Sequence, residues 1–308
     1  MSSFEQKDRT VLKNIKAVDK VLLNTLEKRA AHFCERTALL ADNLSAVGES
    51  DYSLLYESFT DVEPDFSDVV FENKEYVKGV FSKVMSYDRI RLAELLSKKG
   101  ATSLTYESVA DEDETAKVVY LKNSLADIAY STFSKVIKNA RVVYAESFSE
   151  VCEEVYYSRA PYCILPLENS DDGRMASFAN LIRKYDLKIV MTCNVESAVE
   201  KITKFALLKR EFSVLDCPRS MNDGDYLEIE LNLGSRGSLH NVLEAADIFG
   251  YKLCKIDSFP MQYSDKEYYF NVVFEGRGNI DGFMYWLEFE VQRYDVIGIY
   301  KHLKIYGD

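Results

Sequence analysis

The stretch YCILPLENSDDGRM, residues 162–175, begins as an apolar strand and ends in polar side chains that a packed core would not select. Strand patterns also occur at 117–121 (KVVYL) and 141–147 (RVVYAES), and helical patterns fill the two intervals. This βαβαβ order predicts a parallel sheet, and α/β sheets bind ligands at the carboxyl ends of their strands. The side chains predicted at that edge are Glu168, Asn169 and Ser170.

The regions on either side of this segment have different patterns. Residues 1–100 carry apolar side chains at helical spacing and predict a helical domain. The acidic run DEDET at 111–115 predicts a linker, and the α/β domain is expected to extend over 116–220. From 225 to 308 the order of the predicted elements is βαββαβ, which is the ferredoxin-like arrangement.

Composition and charge argue against several classes of partner. The chain of 308 residues is 47% apolar and 29% charged, as in soluble globular proteins. A net charge of -12 without a dense basic cluster argues against nucleic acid. No run approaches ~18 consecutive apolar residues, so no membrane partner is expected. The polar beginning MSSFEQKDRT contains no signal-peptide pattern, and a cytoplasmic location is expected.

Neither a metal ion nor another cofactor is expected. The six cysteines are widely spaced without a CxxC pair, and they are predicted to be buried, reduced thiols. The chain contains three histidines, which gives little basis for a zinc site or a Ser-His-Asp triad.

Three motifs resemble parts of one enzyme family. LPLENSDDG, residues 165–173, resembles the Leu-Pro-Ile-Glu-Asn-Ser-x-x-Gly signature of prephenate dehydratases. The segments 15–33 and 76–95 are similar to the first and last helices of the helical chorismate mutases, and 225–308 resembles the ACT regulatory domain. The parts occur in the same order as in bifunctional chorismate mutase-prephenate dehydratases.

This resemblance implies a multi-domain fold. We expect an all-α chorismate mutase-like domain at 1–100, a one-lobed α/β prephenate dehydratase-like domain at 116–220 and an α+β ferredoxin-like ACT domain at 225–308. The resemblance also implies a role in the biosynthesis of L-phenylalanine. A homodimer formed through the helical and ACT domains is the expected assembly.

Prephenate dehydration expels water and carbon dioxide, and it requires a proton donor in a cleft closed to water. The resemblance assigns that role to the hydroxyl of Thr203, in a Thr-Lys-Phe sequence where the family has Thr-Arg-Phe. The lysine is a point charge where the family's arginine is a planar fork for a substrate carboxylate. The residues implied at this site are Glu168, Asn169, Ser170, Thr203, Lys204 and Phe205.

Two departures from the family predict that dehydration is lost. The loop 122–126 contains no glycine, although the family uses a glycine-rich turn for close approach to the substrate. Only residues 191–202 separate the preceding strand from Thr203, where the family inserts a second lobe. We therefore expect Glu168 and Asn169 to face solvent or another subunit, without an opposite wall.

A purely structural role is an alternative for these side chains. Asn169 and Ser170 can cap the helix predicted to start near Arg174, and Glu168 can pair with Lys204.

The mutase reaction requires several cations that hold the substrate's two carboxylates. Arg29 matches one of the family's cations, whereas Leu12, Leu40 and Leu92 stand where the family has Arg, Lys, and Gln or Glu. One cation is too few, so we expect the helices mainly to form the dimer.

The ACT-like block is expected to bind a small aromatic amino acid, because its helix start offers backbone amides to a carboxylate. Phe259 replaces an arginine of the family there. The predicted effector residues are Gly237, Ser238, Leu239, Asp257, Ser258, Phe259 and Pro260.

Three hypotheses follow from the sequence. The first is a catalytically degenerate relative that acts as a ligand-binding or regulatory dimer. The second is an active prephenate dehydratase whose cleft is completed by another subunit. The third is a residual chorismate mutase that uses Arg29.

Overall fold

The computed structural model describes residues 3–47, 65–98, 116–171, 173–233, 238–260, 268–291 and 293–305. The chain divides into two compact units, Met1–Ala101 and Thr102–Asp308. Within the described ranges, no helix is both long and apolar enough to cross a membrane.

The first unit is built from two long helices. Helix α1 spans Ser3–Val47, and a short 3-10 helix at Phe71–Asn73 leads into α2, Lys74–Lys98. Phe33 of α1 and Leu92 of α2 are buried. The helical pattern is therefore confirmed for these segments, whereas their identity as a mutase domain stays a prediction.

The second unit alternates strands and helices. The strands are β1 Lys117–Leu121, β2 Arg141–Ala145, β3 Tyr162–Asn169, β4 Gly173–Arg174, β5 Lys188–Glu196, β6 Ile202–Lys209, β7 Asn222–Asn232, β8 Lys252–Pro260, β9 Tyr268–Glu275 and β10 Arg293–Leu303. The helices are α3 Ser124–Phe133, α4 Phe148–Tyr156, α5 Ala176–Lys184, α6 Leu239–Ile248 and α7 Ile280–Glu290.

These strands form one ten-stranded sheet in the order β2-β1-β3-β6-β5-β10-β7-β9-β8, with β4 paired to β3. Strands β2, β1 and β3 run parallel, which confirms the predicted βαβαβ unit. Strand β6 is antiparallel to both β3 and β5. Residues 197–201 make the turn between β5 and β6, so no lobe is inserted there.

The last four strands form an antiparallel set in the order β10-β7-β9-β8, and their βαββαβ sequence is as predicted. This set continues the same sheet, because β10 pairs in parallel with β5. The division between 116–220 and 225–308 stays a prediction, and both ranges contribute strands to one sheet.

The sheet is covered on both faces. Helices α4 and α5 pack on one face, against residues such as Leu165 and Leu208. Helix α3 packs on the other face, where Phe205 and Val195 are buried. The near-continuous apolar run of β3 follows from this two-sided burial, as in other central strands of α/β sheets.

The cysteines are all free, but they are not all buried. Cys152, Cys163 and Cys193 lie in the core, and burial raises the pKa of each thiol, to about 12 for Cys152 and Cys193. Cys254 is exposed, which corrects the expectation of uniform burial, because its position on the edge strand β8 leaves it uncovered.

Candidate functional site

The sheet curves strongly enough to bring its two halves together. Lys255 on the edge strand β8 lies 3.1 Å from Glu168 on β3, from Nζ to Oε1. Five strands separate β3 from β8, and at the usual spacing of about 4.8 Å they would lie roughly 29 Å apart in a flat sheet. The contact therefore requires a concave face, and the candidate site lies in that concavity.

A pocket of about 490 Å³ occupies this concave face. Ser170, Asn194 and Asp223 are exposed at its rim, and the side chain of Val273 is buried at its floor. The lining residues are Glu168, Asn169, Ser170, Asn194, Ile202, Lys204, Asp223, Tyr226, Cys254, Lys255, Val273 and His302.

This pocket corrects the expectation that Glu168 and Asn169 lack an opposite wall. Strands β3, β5 and β6 supply one side of the pocket, and β7, β8, β9 and β10 supply the other. The predicted absence of an inserted lobe is correct, but the curved sheet places another part of the same chain opposite these side chains.

The polar residues at the end of β3 and directly after it stabilise a tight turn. Asn169 Oδ1 accepts a hydrogen bond from the Asp171 amide at 3.0 Å, and the Ser170 amide donates to the Ile202 carbonyl at 2.9 Å. Gly173 then adopts a φ of 69°, in the left-handed region that favours glycine. The turn thus ties the end of β3 to the start of β6.

The expected helix-capping role of Asn169 and Ser170 is wrong. The residue before α5 is Met175, and no side chain caps this helix. The Asn169 side chain instead accepts a hydrogen bond from the Asp171 amide, and the Ser170 hydroxyl accepts one from the Ile202 amide.

The expected pairing of Glu168 with Lys204 is also wrong. Glu168 pairs with Lys255, whose Nζ also lies 3.1 Å from Asp257 Oδ2. The long lysine side chain on β8 reaches Glu168 because of the sheet curvature, and that contact is invisible in the local sequence.

Lys204 extends towards two aromatic rings. Its Nζ lies 5.7 Å from the ring centroids of both Tyr226 and Tyr300, within the range of a cation–π interaction. Among the described residues, no carboxylate forms an ion pair with it. This lysine therefore brings to the pocket a positive charge that forms no ion pair with a described acid.

Thr203 and Phe205 face away from the pocket. Phe205 is buried in the core on the α3 face, and side chains two positions apart on a strand share a face. Val195, which lies opposite Thr203 on β5, is buried in the same core. The structure thus brings Lys204 together with Glu168 but leaves the Thr203 hydroxyl on the opposite face of the sheet.

A buried charge network lies beneath the pocket. The Arg174 side chain, 5% exposed, places Nη2 2.6 Å from Glu228 Oε1, and Glu228 is 1% exposed. Asn271 Nδ2 and the Tyr300 hydroxyl each donate to Glu228 at 3.0 Å. Burial alone would raise the pKa of Glu228, but the charges of Arg174 and Lys204 outweigh it and lower that pKa.

His302 is a pocket residue that sequence patterns did not single out for this site. Its Nδ1 lies 2.8 Å from Thr192 Oγ1. Burial, assisted by the charge of Lys204, lowers the pKa of His302 from 6.5 to about 4. The imidazole is therefore neutral at pH 7 and can act there only as an uncharged hydrogen-bonding group.

The predicted effector residues are spread over two elements. Ser238 precedes α6 and Leu239 begins it, while Gly237 lies outside the described residues. The rest belong to β8, at the free edge of the sheet. The members of this second group are Asp257, Ser258, Phe259 and Pro260. Their role as an effector site stays a prediction.

Arg29, the predicted mutase cation, lies in the first unit. Its Nη1 is 2.5 Å from Asp88 Oδ2 on α2, so this guanidinium already has a carboxylate partner. Burial raises the pKa of Asp88 even though Arg29 acts in the opposite direction. The pair links the two long helices, and its predicted part in catalysis stays a prediction.

Metal binding finds no support in the described part of the chain, where no group of three or more suitable ligands occurs. The charged groups of the pocket are instead arranged in ion pairs, apart from Lys204.

Comparison with known proteins found one matching family model and several similar solved structures. Residues 121–196 match the family model of prephenate dehydratase. No curated protein matches the sequence.

The X-ray structure of prephenate dehydratase from Streptococcus mutans has a TM-score of 0.50 at 21% identity, over 61% of this chain and 99% of that chain. A prephenate dehydratase from Arthrobacter aurescens in complex with L-Phe has a TM-score of 0.46 at 13% identity, over 60% and 90%. A structure named GqqA, a quorum quenching acylase, has a TM-score of 0.45 at 17% identity, over 60% and 94%.

Of these three structures, the one from Streptococcus mutans is similar enough to support a statement about fold. The matched residues 121–196 begin at the end of β1 and continue to the end of β5, so they include the turn that carries Glu168 and Asn169. The chain therefore contains a prephenate dehydratase family-model domain within a mixed α/β sheet fold that resembles prephenate dehydratase.

Proposed function

We propose that this protein is a catalytically degenerate prephenate dehydratase relative that binds a small carboxylate of aromatic amino-acid metabolism in the concave pocket. The observation that carries the proposal is Lys204, an ammonium beside Tyr226 without an acidic partner among the described residues. A half-buried cation of this kind attracts an anionic ligand because its own charge is not neutralised by the protein.

The shape and composition of the pocket support a small organic ligand. A volume of about 490 Å³ lies within the range typical of small-molecule sites. Tyr226, Ile202 and Val273 offer apolar surface, while Asn194 and the neutral His302 offer hydrogen bonds. A carboxylate attached to an aromatic or aliphatic group suits this combination.

The orientation of Thr203 argues against dehydration by the family mechanism. That mechanism needs the hydroxyl beside the leaving group, and Thr203 lies on the face opposite Lys204. His302 does not replace it as a charged acid, because its pKa of about 4 leaves it neutral at pH 7. Binding without elimination is the function that this arrangement supports best.

An active dehydratase is the second candidate, and the two-sided pocket favours it. Glu168 and Asn169 line a concavity rather than a flat surface, so the water exclusion that the reaction needs is partly available. In this candidate the second wall comes from the chain's own β7, β8, β9 and β10.

The assay that separates the two candidates measures phenylpyruvate formation from prephenate by the purified full chain. We expect no turnover above the uncatalysed rate, together with saturable binding of an aromatic carboxylate by calorimetry. The Lys204→Met variant is expected to lose most of that binding, and Lys201→Met, an exposed lysine outside the pocket, serves as its control. Turnover that depends on Thr203 would establish the second candidate.

The homodimer remains part of the proposal. Helix α1 exposes Val11, Ile15, Val18 and Leu22, whose spacing places them on one face. Burial of this face against a second copy would remove it from water, and sedimentation of a Val18→Glu variant tests the idea. An aromatic effector on the ACT-like block is likewise a proposal, to be tested by calorimetry with phenylalanine, tyrosine and tryptophan.

A further inference from the structure

We infer that the ligand of the concave pocket is a zwitterion of the α-amino acid type, whose carboxylate binds Lys204 and whose ammonium binds beside Glu168. The inference rests on the proposed function and deepens it by naming the charge of the ligand. The substrate of a dehydratase, a dicarboxylate, would not meet the same requirement.

The inference starts from the charges that line the pocket, which are Glu168, Lys204, Asp223 and Lys255. Asp223 Oδ1 lies 3.0 Å from Lys304 Nζ, so that charge is balanced. The single ammonium of Lys255 lies 3.1 Å from a carboxylate oxygen of both Glu168 and Asp257. One lysine shared between two acids leaves a local excess of negative charge beside Glu168, which the charge of the buried Arg174 offsets only in part.

The opposite excess lies at Lys204, which has no carboxylate partner among the described residues. The buried Arg174 and Glu228 below neutralise each other and add no net charge. The pocket therefore has a positive pole at Lys204 and a negative pole at Glu168, and its net charge is close to zero.

The two poles lie on neighbouring strands. Glu168 and Lys204 are directly opposite each other across β3 and β6, and such side chains start about 5 Å apart on one face. Yet they do not form an ion pair, because Glu168 turns towards Lys255 and Lys204 extends towards Tyr226. An α-amino acid carries its two opposite charges on one carbon, which suits two opposite charges that belong to neighbouring strands.

The same arrangement disfavours other ligand classes. A dicarboxylate would place its second negative charge near the excess carboxylate at Glu168, and like charges at close range are repulsive. A simple monocarboxylate would use Lys204 and leave the negative pole without a partner. The side chain of the ligand would contact Tyr226, Ile202 and Val273, which favours an aromatic or large aliphatic group.

The test is calorimetry of the full chain at pH 7 with four probes that share a phenyl ring: L-phenylalanine, 3-phenylpropanoate, phenethylamine and benzylmalonate. We expect L-phenylalanine to bind most tightly and each probe with one pole to bind about tenfold more weakly, as for the loss of one ion pair worth about 1.4 kcal/mol. Benzylmalonate, the dianion, is expected to bind most weakly.

Two variants assign the poles. Lys204→Met is expected to abolish the tighter binding of L-phenylalanine relative to phenethylamine, which lacks the carboxylate. Glu168→Gln is expected to abolish the tighter binding of L-phenylalanine relative to 3-phenylpropanoate, which lacks the ammonium. Glu196→Gln, an exposed acid at the end of β5, is the matched control for the second variant and is expected to change neither ratio. Phe259→Ala separates this pocket from the proposed effector site on β8 and is expected to leave both ratios unchanged.

Tighter binding of benzylmalonate or 3-phenylpropanoate than of L-phenylalanine would overturn the inference while leaving a carboxylate-binding function in place. Loss of phenylalanine binding in Phe259→Ala but not in Lys204→Met would also overturn it. The comparison of probes on the unmodified chain decides the question even if a variant fails to fold. Turnover of prephenate contradicts the proposed function instead, and the absence of binding by every probe overturns both.

Discussion

Two layers of the concave face use the same kinds of side chain in opposite ways. In the lower layer Arg174 and Glu228 are buried against each other, and Asn271 and Tyr300 complete the hydrogen bonds of the carboxylate. In the upper layer Lys204 has no acidic partner among the described residues. A buried charge is compatible with a stable fold when its ion-pair partner is present, and it destabilises the fold when that partner is removed. A charge that lines a pocket without an ion-pair partner is available to a ligand.

The largest change in stability is expected when the ion pair between Arg174 and Glu228 is broken. Arg174→Met leaves the Glu228 carboxylate buried without its cation, and we expect a loss of about 3–5 kcal/mol in the free energy of unfolding. Urea denaturation followed by circular dichroism measures this loss. The double variant Arg174→Met with Glu228→Leu is expected to recover most of the stability, because it removes the unpaired charge. An equally unstable double variant would contradict the matched-pair interpretation.

The second prediction concerns pH and His302, which lines the pocket. The unfolded chain binds a proton at this residue below about pH 6.5, whereas the folded chain binds it only near pH 4. The unfolded state therefore holds more protons in that interval, and stability falls as the pH is lowered through it, by about 3 kcal/mol in all. Denaturant midpoints at pH 7, 5 and 4 measure the slope.

The matched variants for this pH effect are His302→Gln and His240→Gln. Glutamine at 302 removes the titration, so we expect a shallower loss of stability between pH 6.5 and pH 4. The exposed His240 serves as the control, and its replacement is expected to leave the slope unchanged. Equal slopes in all three proteins would show that folding does not lower the pKa of His302.

A third prediction tests the pairing of β10 with β5, which joins the two halves of the sheet. Gly298 lies where β10 meets β5, and a Cβ there would approach the Ile189 carbonyl oxygen to 2.5 Å. Gly298→Ala is therefore expected to reduce the free energy of unfolding by about 1–3 kcal/mol through overpacking. Gly79→Ala, on an exposed part of α2 with open space at the Cβ position, is the control and is expected not to destabilise the protein.

The smallest effect is expected for Lys204, and it compares directly a side chain of the upper layer with Arg174 of the lower layer. Lys204→Met should reduce the free energy of unfolding by about 1 kcal/mol, because it breaks no ion pair to a described residue but removes the contacts with the rings of Tyr226 and Tyr300. Thermal melting alongside Arg174→Met measures both in one experiment. A loss as large as that of Arg174→Met would show that Lys204 is a structural residue and would weaken the case for a ligand.

The sequence was sufficient to predict the order of strands and helices in the second unit and the polar residues at one edge of the site. Apolar runs and turn residues predicted the βαβαβ and βαββαβ orders, because local periodicity reports which face of an element is buried. The polar cluster of Glu168, Asn169 and Ser170 was correctly expected at the carboxyl end of β3, although the strand includes the first two of these residues. The alternation of Lys204 with Thr203 and Phe205 also contained the signal that the threonine faces away from the lysine.

The rest of the site could not be predicted locally. The partner of Glu168 is Lys255, 87 positions later, and their contact depends on the curvature accumulated over the whole sheet. His302 and Tyr226 are ordinary strand residues in the sequence, and they acquire a role only through the pairing of β10 with β5 and β7. A short window of sequence does not show which distant strands pair or in which register.

The parallel ladder between β5 and β10 has a mechanical consequence. A protease that cut the connection between β6 and β7 would release neither fragment, because backbone hydrogen bonds still join the two pieces through that ladder. Each piece produced on its own would instead present a bare strand edge to solvent, and such edges recruit other chains. The nicked protein should therefore migrate as one particle under native conditions, while its separate fragments precipitate.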